Sequence, residues 1–464
     1  MPSLALDLVQ KLNEYQQGHL LLGWEKLSDP EQKAFAEQLR AVDFPKLKQL
    51  YAEKDAPTAT LSEDRIKPIP TEHVSQIDPA TIRLGEQALS QGQVAVLLVA
   101  GGQGSRLGFE KPKGMFPIGP VSNKTLFQIH VEKVLALSRK FGKPIPFLVM
   151  TSPATHADTV NYFEEVNFFG LPRGDVFFFQ QGTMPALDLA TGKLLLEKPG
   201  VLFTSPNGHG GTLTALADSG LLQELKNRGI RHLFYFQVDN PLVNVADPRF
   251  LGRHIALKSQ ASSKAIAKAY ADEKMGVFAL LDAQCSIIEY SDLPQELKHA
   301  QSANGDLLHR AGSPAIHLFE VAFLEQLTRK GAGLPFHLAR KKVPCLDEQG
   351  NFISPKSENA LKFEMFIFDA LPLADRWLVL ESPREEEFAP VKNADGGDSP
   401  ATCKQALGNL YGSWLEKQGL HVPRTAEGNV AVALEISPLF ALNAEELQGR
   451  IPAETNLQQP MYWE

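Results

Sequence analysis

Short apolar runs separated by helical patterns occupy the middle of this 464-residue sequence and constrain its fold more than any other feature. One helical pattern, TLFQIHVEKVLALSRKF, follows the first run. The runs are VAVLLVA (94–100), PIPFLVMTS (144–152), DVFFFQQ (175–181) and HLFYFQVDN (232–240). Runs of this kind, spaced by helices, are typical of strands that are buried on both faces of a parallel sheet. The sequence therefore predicts an α/β fold with a mostly parallel central sheet flanked by helices.

Helical and irregular segments flank this region. Across residues 4–56 the apolar positions recur at helical spacing, and Ser28 is an N-cap candidate two residues before Pro30. Residues 55–74 contain three prolines and indicate a connecting segment, and the acid-rich residues 381–400 lead to one more helix and a few strands. We expect a helical N-terminal lobe (1–75), a central domain (76–380) and a small α+β C-terminal domain (381–464).

Composition and charge narrow the classes of partner. No segment approaches the ~18 uninterrupted apolar residues that a membrane span needs, and the N-terminus lacks the pattern of a secretion signal. The net charge of −8 argues against a nucleic-acid-binding surface, because affinity for the phosphate backbone depends on clustered Lys and Arg. Cys285, Cys345 and Cys403 are too few and too scattered for a disulfide framework or a CxxC metal site. We expect a cytoplasmic protein that binds neither nucleic acid nor membrane.

The glycine-rich segment AGGQGSRLGFEKPKG (100–114) directly follows the first predicted strand, where α/β sheets bind ligands. A dinucleotide fingerprint read from Gly102 would need glycine or alanine at the position of Leu107, and no acidic residue ends a second strand about 20 residues later. A Walker A loop would need G-x-x-x-x-G-K-[ST], which is also absent. Both nucleotide motifs are therefore excluded.

The remaining interpretation of this segment is a loop that approaches phosphate groups. Glycines Gly101, Gly102 and Gly104 would let backbone N–H groups come close to phosphate oxygens, and Arg106 and Lys113 would add two cations suited to a triphosphate. A solvated surface turn is the alternative that the loop alone leaves open. Lys111, in the same segment, is expected to lie at the surface.

The loop also resembles a family signature, A-G-G-x-G-[ST]-R-L-G-x-x-x-P-K-G, of the UDP-sugar pyrophosphorylases, and the chain is most similar to the eukaryote-type UDP-N-acetylhexosamine pyrophosphorylases. Other segments resemble the family in the same order. They are GHLLLGWEKL, KTLFQIHVEKV (124–134), QQGTMPAL (180–187), FQVDNPLVNVADPRFLG (236–252), KKVPCLDEQG (341–350), REEEFAPVKNAD (384–395) and LEISPLF (434–440). The resemblance covers nearly the whole chain and implies a Rossmann-like, GT-A-like nucleotidyltransferase sheet in the central domain.

The resemblance implies a reaction. A sugar-1-phosphate oxygen attacks the α-phosphorus of UTP, expels pyrophosphate and leaves a UDP-sugar, so that positioning, cations and Mg²⁺, or Mn²⁺ in its place, supply most of the catalysis. UDP-N-acetylglucosamine is the first choice of product, and UDP-glucose or a broad range of UDP-sugars is the alternative. A non-catalytic UDP-sugar-binding protein is the remote alternative. We expect UTP and a hexose-1-phosphate as substrates, and a monomer or weak homo-oligomer.

Three cations are implied to offset the phosphate charge. Arg106 and Lys113 fall on family positions of the glycine loop, and Lys392, in APVKNAD, matches a lysine that contacts phosphates from the carboxy-terminal side. Asp239 lies at the end of HLFYFQVDN, and we predict it as the metal ligand because hard carboxylate oxygens suit Mg²⁺. The alternative for Asp239 is a cap on the following turn, and Asp247 is expected to cap the helix after it.

Further residues match the family's positions for the base and the sugar. The uridine-binding positions are Gln181, Pro206 and Gly208. The sugar-binding positions are His209, Gly276, Glu289, Ser313 and Lys362. The alternatives are structural: Glu289 would be a half-buried carboxylate paired with a lysine, and Lys362 a helical lysine whose ammonium reaches solvent.

Two of the sugar positions depart from the family pattern. In PNGHGG, His209 stands where acetylhexosamine enzymes usually carry asparagine, and histidine there resembles UDP-glucose pyrophosphorylases. In HRAGSPAIHLF, Ser313 also replaces an expected asparagine, and Pro314 stiffens the loop. Because the phosphate nucleophile is already ionised at neutral pH, we expect His209 to bond a sugar hydroxyl rather than act as a general base. The identity of the sugar therefore stays open.

Overall fold

The computed structural model describes residues 6–55, 61–329 and 333–464. They divide into two compact units that alternate along the chain. The first unit takes its described residues from 1–60, 181–211 and 334–367, and the second from 61–180, 212–333 and 368–464. This division differs from the three predicted ranges, which stay a prediction, and the predicted ends of the helical lobe at Leu4 and Ala56 lie outside the described residues.

Helices and strands alternate through most of the chain. The α-helices are α1 Leu6–Glu14, α2 Asp29–Ala41, α3 Phe44–Ala52, α4 Pro79–Ser90, α5 Leu126–Phe141, α6 His156–Glu165, α7 Thr212–Asp218, α8 Leu221–Asn227, α9 Pro248–Ala256, α10 Gln295–His299, α11 Val321–Thr328, α12 Arg384–Glu387 and α13 Pro400–Lys417. The strands are β1 Ile66–Pro68, β2 Glu72–His73, β3 Val94–Val99, β4 Phe147–Thr151, β5 Val176–Gln180, β6 Thr183–Pro185, β7 Leu187–Asp188, β8 Leu196–Lys198, β9 Val201–Leu202, β10 Thr204–Pro206, β11 His232–Gln237, β12 Ala261–Ala267, β13 Val277–Leu281, β14 Gln284–Ile288, β15 Ala311–Gly312, β16 His317–Glu320, β17 His337–Lys341, β18 Cys345–Leu346, β19 Phe352–Ile353, β20 Ala360–Glu364, β21 Trp377–Glu381, β22 Leu434–Ile436 and β23 Met461–Trp463.

A 12-stranded sheet forms the centre of the second unit. Its parallel part runs in the order β5-β4-β3-β11, and these are the four strands predicted from the apolar runs. Beyond β11 the sheet becomes mixed, because β16 pairs antiparallel with both β11 and β12. The predicted helix between β3 and β4 is α5. The predicted α/β class with a large parallel region flanked by helices is confirmed.

The strand order creates a switch point between β3 and β11. The chain passes from β3 to β4 and β5 on one side, then returns through β11 to the other side of β3. Gln237 lies beside Val99 in the parallel register, and the Val238 N–H donates to the Val99 carbonyl (3.0 Å). The loops that leave the carboxyl ends of these two strands therefore start next to each other, where open α/β sheets bind ligands.

One hydrophobic cluster links the central sheet of the second unit with the C-terminal helix. Val96, Leu98 and Phe236 of the sheet belong to the same cluster as Leu407 and Leu415 of α13, and all five are fully buried. Removal of this apolar surface from water is the main favourable term in the folding of such a core. The predicted final helix and strands are present as α13, β22 and β23.

The proline-containing segment after residue 60 contributes to the sheet as well as connecting two regions. Ile66 pairs with Leu281 where β1 lies antiparallel to β13, and Glu72 pairs with Leu380 where β2 lies parallel to β21. β1 ends the strand order of the sheet, and proline is tolerated on an edge strand because its missing N–H faces away from the ladder. The absence of a two-residue periodicity concealed these short strands in the sequence.

In the first unit, α1, α2 and α3 share a hydrophobic cluster with β7 and β20. Ser28 is the N-cap of α2, as predicted, and the Glu31 carboxylate accepts a hydrogen bond from the Ser28 backbone N–H (2.8 Å) to complete a capping box. No helix within the described ranges combines the length and apolar character needed to cross a membrane. Cys285, Cys345 and Cys403 are buried and free.

Two buried histidines of the second unit predict how stability depends on pH. Burial lowers the pKa of His130 to about 3 and that of His232 to about 4, from 6.5. Below pH 6.5 the unfolded chain therefore binds protons that the folded chain does not, so stability is complete above pH 6.5 and falls on acidification. Each histidine should contribute up to about 1.4 kcal/mol per pH unit in that window. We expect the Tm to fall between pH 6.5 and 4.5, with a shallower fall in His130→Gln; a constant Tm would contradict this.

Candidate active site

The glycine loop after β3 is folded back on itself by backbone hydrogen bonds. The Gly104 N–H donates to the Lys111 carbonyl (2.9 Å), and the Lys113 N–H donates to the Gly102 carbonyl (3.0 Å). A Cβ atom at Gly104 would lie 2.7 Å from the Phe109 carbonyl oxygen, so only glycine fits there. The Gly104 N–H is thus used inside the loop, which leaves Gly101 and Gly102 for the predicted approach of backbone N–H groups to phosphate.

The other predicted loop residues lie near solvent. Gly102 is exposed, and a Cβ added to it would have no heavy atom within 4 Å. Arg106 is exposed, and no hydrogen bond or ion pair of its side chain occurs within the described part of the chain. The Gly101 carbonyl accepts from Ser152 Oγ (2.8 Å). Lys111 is exposed, as the variable position in the signature predicted.

Lys113 and Asp239 meet at the switch point. Lys113 Nζ lies 3.4 Å from Asp239 Oδ2, and the two side chains are only 17% and 15% exposed. Lys113 reaches this place from the glycine loop after β3, whereas Asp239 lies two residues beyond the end of β11. Two residues separated by 126 positions are thus brought together by the parallel pairing of β3 with β11. They form a half-buried cation–carboxylate pair at the carboxyl ends of the strands.

The segment that carries Lys392 is attached to the same strand end. The Val391 N–H donates to the Asp239 carbonyl (2.8 Å), and the Lys392 N–H donates to the Asp398 carbonyl (2.7 Å). Lys392 Nζ lies 3.4 Å from Asp398 Oδ2 and 5.4 Å from the centre of the Phe388 ring. The structure therefore places three of the predicted residues of the second unit, Lys113, Asp239 and Lys392, along one connected stretch of backbone and side chains.

Three predicted sugar-binding residues form a second group in the second unit. The Ser313 N–H donates to the Gly276 carbonyl (2.9 Å). A Cβ on Gly276 would lie 3.3 Å from Glu289 Oε1 and 2.9 Å from a methyl group of Ile287. The Ser313 hydroxyl accepts from the Ala315 N–H (3.3 Å). Residues distant in sequence thus converge, although their predicted contact with a sugar stays a prediction.

The predicted uridine-binding residues lie in the first unit. Gln181 is buried, and its Nε2 donates to the Gly208 carbonyl (3.4 Å). Gly208 has a φ of +82°, and a Cβ on it would lie 2.4 Å from the Met365 carbonyl oxygen. Pro206 ends β10, where it pairs with Thr183 of β6. The turn that contains Gly208 is therefore closely packed and requires glycine for both its backbone conformation and its clearance.

His209 is held in one protonation state. Its Nδ1 accepts from the Ile367 N–H (3.2 Å), and its ring centre lies 5.4 Å from that of Phe366. Burial, with a smaller effect from His337, lowers the pKa of His209 to about 4. The ring is therefore neutral at pH 7, and because Nδ1 accepts a hydrogen bond, the proton is on Nε2. His209 can donate a hydrogen bond, which fits the predicted contact with a hydroxyl group.

Lys362 is on a strand, not on a helix as expected. It lies in β20 opposite Ala339 of β17, and its Nζ is 5.0 Å from the centre of the Phe203 ring. Burial lowers the pKa of the Lys362 ammonium. The helical interpretation was wrong because the run ALKFE is too short for periodicity to separate a strand from a helix.

A metal ion has few protein ligands available in this region. No group of three or more His, Cys, Asp or Glu side chains suited to a metal ion occurs within the described residues. Mg²⁺ commonly binds through one or two carboxylates together with substrate phosphates and waters. Asp239, half-buried and next to a lysine at the strand ends, fits that mode of binding. It does not provide a complete metal site by itself.

A buried polar cluster in the second unit was not predicted from the sequence. Asp247 caps α9 as predicted, since its Oδ1 accepts from the Arg249 N–H (3.0 Å). The same carboxylate also pairs with Lys264 on the central strand β12, and Lys264 contacts Glu387 of α12. The signal in the sequence was a lysine among the small and apolar residues of ASSKAIA. The first six residues of this strand are buried, and lysine is rare at buried positions unless it is paired.

Comparisons with known proteins agree with this arrangement. A family model described as UTP–glucose-1-phosphate uridylyltransferase matches residues 41–434. The UDP-N-acetylglucosamine pyrophosphorylase of Saccharomyces cerevisiae is 37% identical over 465 residues, which cover 95% of this chain and 96% of the yeast protein. The human UDP-N-acetylhexosamine pyrophosphorylase-like protein 1 is 35% identical, over 95% of this chain and 94% of that protein.

A solved structure is similar over almost the same length. The crystal structure of the uridine diphosphate N-acetylglucosamine pyrophosphorylase from Trypanosoma brucei in complex with inhibitor matches with a TM-score of 0.82 and 28% identity, and it covers 97% of this chain and 95% of that chain. The glycine loop, the switch point and these matches lead to one assignment. The chain is a uridylyltransferase that belongs to the UTP–glucose-1-phosphate uridylyltransferase family of UDP-sugar pyrophosphorylases.

Proposed function

We propose that this enzyme joins UTP and N-acetylglucosamine-1-phosphate to form UDP-N-acetylglucosamine and pyrophosphate. The observation that carries the proposal is the pair formed by Lys113 Nζ and Asp239 Oδ2, 3.4 Å apart at the carboxyl ends of β3 and β11. The names of the yeast and trypanosome proteins support N-acetylglucosamine as the sugar. The three buried, free thiols suit a reducing compartment, and we propose the cytoplasm as the location.

In the proposed reaction, an ionised phosphate oxygen of the sugar phosphate forms a bond to the α-phosphorus of UTP. The bond from that phosphorus to the bridging oxygen breaks, and pyrophosphate leaves with the electron pair. No general base is needed, since the nucleophile carries no proton that must be removed. The protein must hold two polyanions together and offset the charge on the leaving group, and Arg106, Lys113 and Lys392 supply the cations.

We also propose Mg²⁺, with Mn²⁺ able to replace it, as the cofactor. Asp239 and the substrate phosphates would hold the ion, which would neutralise phosphate charge during transfer. Lys113 Nζ lies 3.4 Å from Asp239 Oδ2, so the lysine also orients this carboxylate.

Removal of the metal tests the cofactor. We expect EDTA to abolish pyrophosphate release, and added Mg²⁺ to restore it, because the phosphates cannot be brought together without charge neutralisation. Asp239→Asn should raise the Mg²⁺ concentration needed for half-maximal rate by about tenfold or more, since an amide is a weaker ligand for a hard cation. Asp218→Asn, at the end of α7, is the control. Full activity in EDTA would contradict the proposed cofactor.

Arg106 offers a second test of the phosphate site. The guanidinium can bind a phosphate through two parallel hydrogen bonds, whereas an ammonium acts as a point charge. We therefore expect Arg106→Lys to lower kcat/KM for UTP by about tenfold, although the formal charge is unchanged. Arg139→Lys, in the last turn of α5, is the matched control and should be neutral. Equal activity of the two variants would show that Arg106 makes no bidentate contact.

UDP-glucose formation is the second candidate function, and His209 is the observation that favours it. Histidine at this position resembles UDP-glucose pyrophosphorylases, whereas acetylhexosamine enzymes usually carry asparagine there. The direct test supplies UTP and Mg²⁺ with the 1-phosphates of N-acetylglucosamine, N-acetylgalactosamine and glucose, and measures pyrophosphate release. We expect the highest kcat/KM for N-acetylglucosamine-1-phosphate. Activity confined to glucose-1-phosphate would support the second candidate, and UDP-sugar binding without any pyrophosphate release would support a binding protein.

A further inference from the structure

The chain that leads from α12 to Lys392 lies against the residues that follow β11. The Val391 N–H donates to the Asp239 carbonyl (2.8 Å). The residue before Lys392 is therefore bonded directly to the backbone of the residue that we propose as the metal ligand. Any displacement of this segment would change the distance between the Lys392 ammonium and the Asp239 carboxylate.

A buried amide side chain extends this attachment. Asn240 is 2% exposed, its Nδ2 donates to the Glu387 carbonyl (2.7 Å), and its Oδ1 accepts from the Ala389 N–H (3.1 Å). Those two backbone groups are two residues apart, so one side chain bonds the segment in the way that a neighbouring strand would. Buried amides that satisfy backbone groups on both sides strongly restrict the path of the chain.

The side chain of Glu387 anchors the segment at its other end. One carboxylate oxygen accepts from the Asn244 N–H (3.1 Å), and the other contacts the Lys264 ammonium. Lys264 Nζ also lies 3.1 Å from Asp247 Oδ2. Lys264, Asp247 and Glu387 are 0%, 1% and 2% exposed, so the pairing of their charges is essential.

The charges in this cluster balance. Arg249 adds a second cation, because its Nε lies 3.2 Å from Asp247 Oδ1. Burial alone would lower the pKa of Lys264, but the two adjacent carboxylates hold it above its ordinary value. The cluster fastens α12 to the strand β12 and to the loop after β11 at the same time.

We propose that Asn240 and Glu387 are positioning residues for the uridylyl transfer, and that they act through Lys392. They hold residues 387–391 on the backbone after β11, and so fix the Lys392 ammonium relative to the Asp239 carboxylate. The inference rests on the proposed function, since the contact of Lys392 with substrate phosphates belongs to it. Neither Asn240 nor Glu387 needs to touch the substrate.

A double-mutant cycle tests this inference in the full-length chain. The variants are Asn240→Ala, Lys392→Ala and the combination of both, with kcat, the KM for UTP and the Tm measured for each. We expect Asn240→Ala to lower kcat by about 30-fold or more while the KM for UTP changes less than about threefold. In the Lys392→Ala background the same change should lower kcat by less than about threefold, because effects transmitted through one group are not additive.

Asn409→Ala is the matched control. Asn409 is a half-buried amide on α13, its Oδ1 accepts from the Val430 N–H (2.8 Å), and its Nδ2 donates to Asn429 Oδ1 (2.8 Å). Its removal should lower the Tm as Asn240→Ala does and leave kcat unchanged. Glu387→Gln removes one charge without changing the shape of the side chain. If Asn240→Ala does not fold, Glu387→Gln replaces it in the double-mutant cycle with Lys392→Ala.

The contrary results separate the positioning role, the assignment of Lys392 and the proposed function. Wild-type kcat in Asn240→Ala, or independent effects that multiply in the combined variant, would overturn the positioning role alone. Wild-type kcat in Lys392→Ala would overturn both that role and the assignment of Lys392. If the wild-type chain released no pyrophosphate with any sugar phosphate, the proposed function would fail. The Kd for UDP-N-acetylglucosamine would then be measured for the same variants. Additive changes in the binding free energy would again reject the positioning role.

Discussion

Replacing Lys113 with alanine is expected to lower kcat for pyrophosphate release by about 100-fold or more, as the loss of a charge contact in the transition state usually does. The ammonium lies 3.4 Å from Asp239 at the switch point, where the phosphates are proposed to react. A 100-fold loss corresponds to about 2.7 kcal/mol in the activation barrier. The fold should be preserved, because the loop is closed by the Lys113 N–H bond to the Gly102 carbonyl (3.0 Å), which alanine retains.

Steady-state kinetics with UTP and N-acetylglucosamine-1-phosphate provides the measurement. Lys111→Ala is the matched control, since Lys111 is a lysine of the same loop with an exposed side chain. We expect its kcat to stay within about twofold of the wild type, as for most surface substitutions. If Lys113→Ala and Lys111→Ala had the same kcat, the triphosphate would have been placed at the wrong residues.

Replacing Gly208 with alanine is expected to raise the KM for UTP by about tenfold or more. The backbone of Gly208 has a φ of +82°, which alanine adopts only with strain, and the added Cβ would lie 2.4 Å from the Met365 carbonyl oxygen and 2.8 Å from the Met365 nitrogen. The turn must therefore move. Its movement would also displace the Gln181 amide, whose Nε2 donates to the Gly208 carbonyl (3.4 Å).

The control for Gly208→Ala separates backbone strain from steric contact. Gly229 has a φ of +77°, and a Cβ on it would have no heavy atom within 4 Å. Gly229→Ala should therefore lower the Tm through strain alone and leave the KM for UTP unchanged. UTP binding measured by calorimetry gives the same comparison without turnover. Equal affinity in the two variants would show that the turn at Gly208 does not contribute to the uridine site.

The strands of the central sheet could be predicted because each is a short run that is apolar on both faces. VAVLLVA and HLFYFQVDN are unambiguous in this respect, and β3 and β11 end within three residues of the predicted limits. By contrast, β1 and β2 lie in a segment with prolines and no periodicity, and their partners β13 and β21 are more than 200 residues away in sequence. Local pattern contains no information about such a partner.

The candidate site could be predicted in part. Arg106, Lys113 and Asp239 follow predicted strands, and general rules about α/β sheets place such residues at the ligand-binding edge. Lys392 was found only through the resemblance, because a lysine in an acid-rich segment has no distinguishing local signal. Asn240 and Glu387 could not be found, since their importance lies in hydrogen bonds and ion pairs that depend on the folded chain.

The sequence by itself determined the class of the fold and the family, and it predicted a phosphate-binding role for the glycine loop, because buried strands and glycine-dependent turns leave local patterns in the residues that form them. Only the tertiary structure decided which of these residues meet. The parallel pairing of β3 with β11 brings Lys113 to Asp239, and a buried amide together with a charge-balanced cluster fastens the Lys392 segment beside them. The contacts of Lys113 with Asp239, and those of Glu387 with Asn240 and Lys264, join positions more than 100 residues apart. Their energies arise from burial and geometry that no stretch of sequence contains.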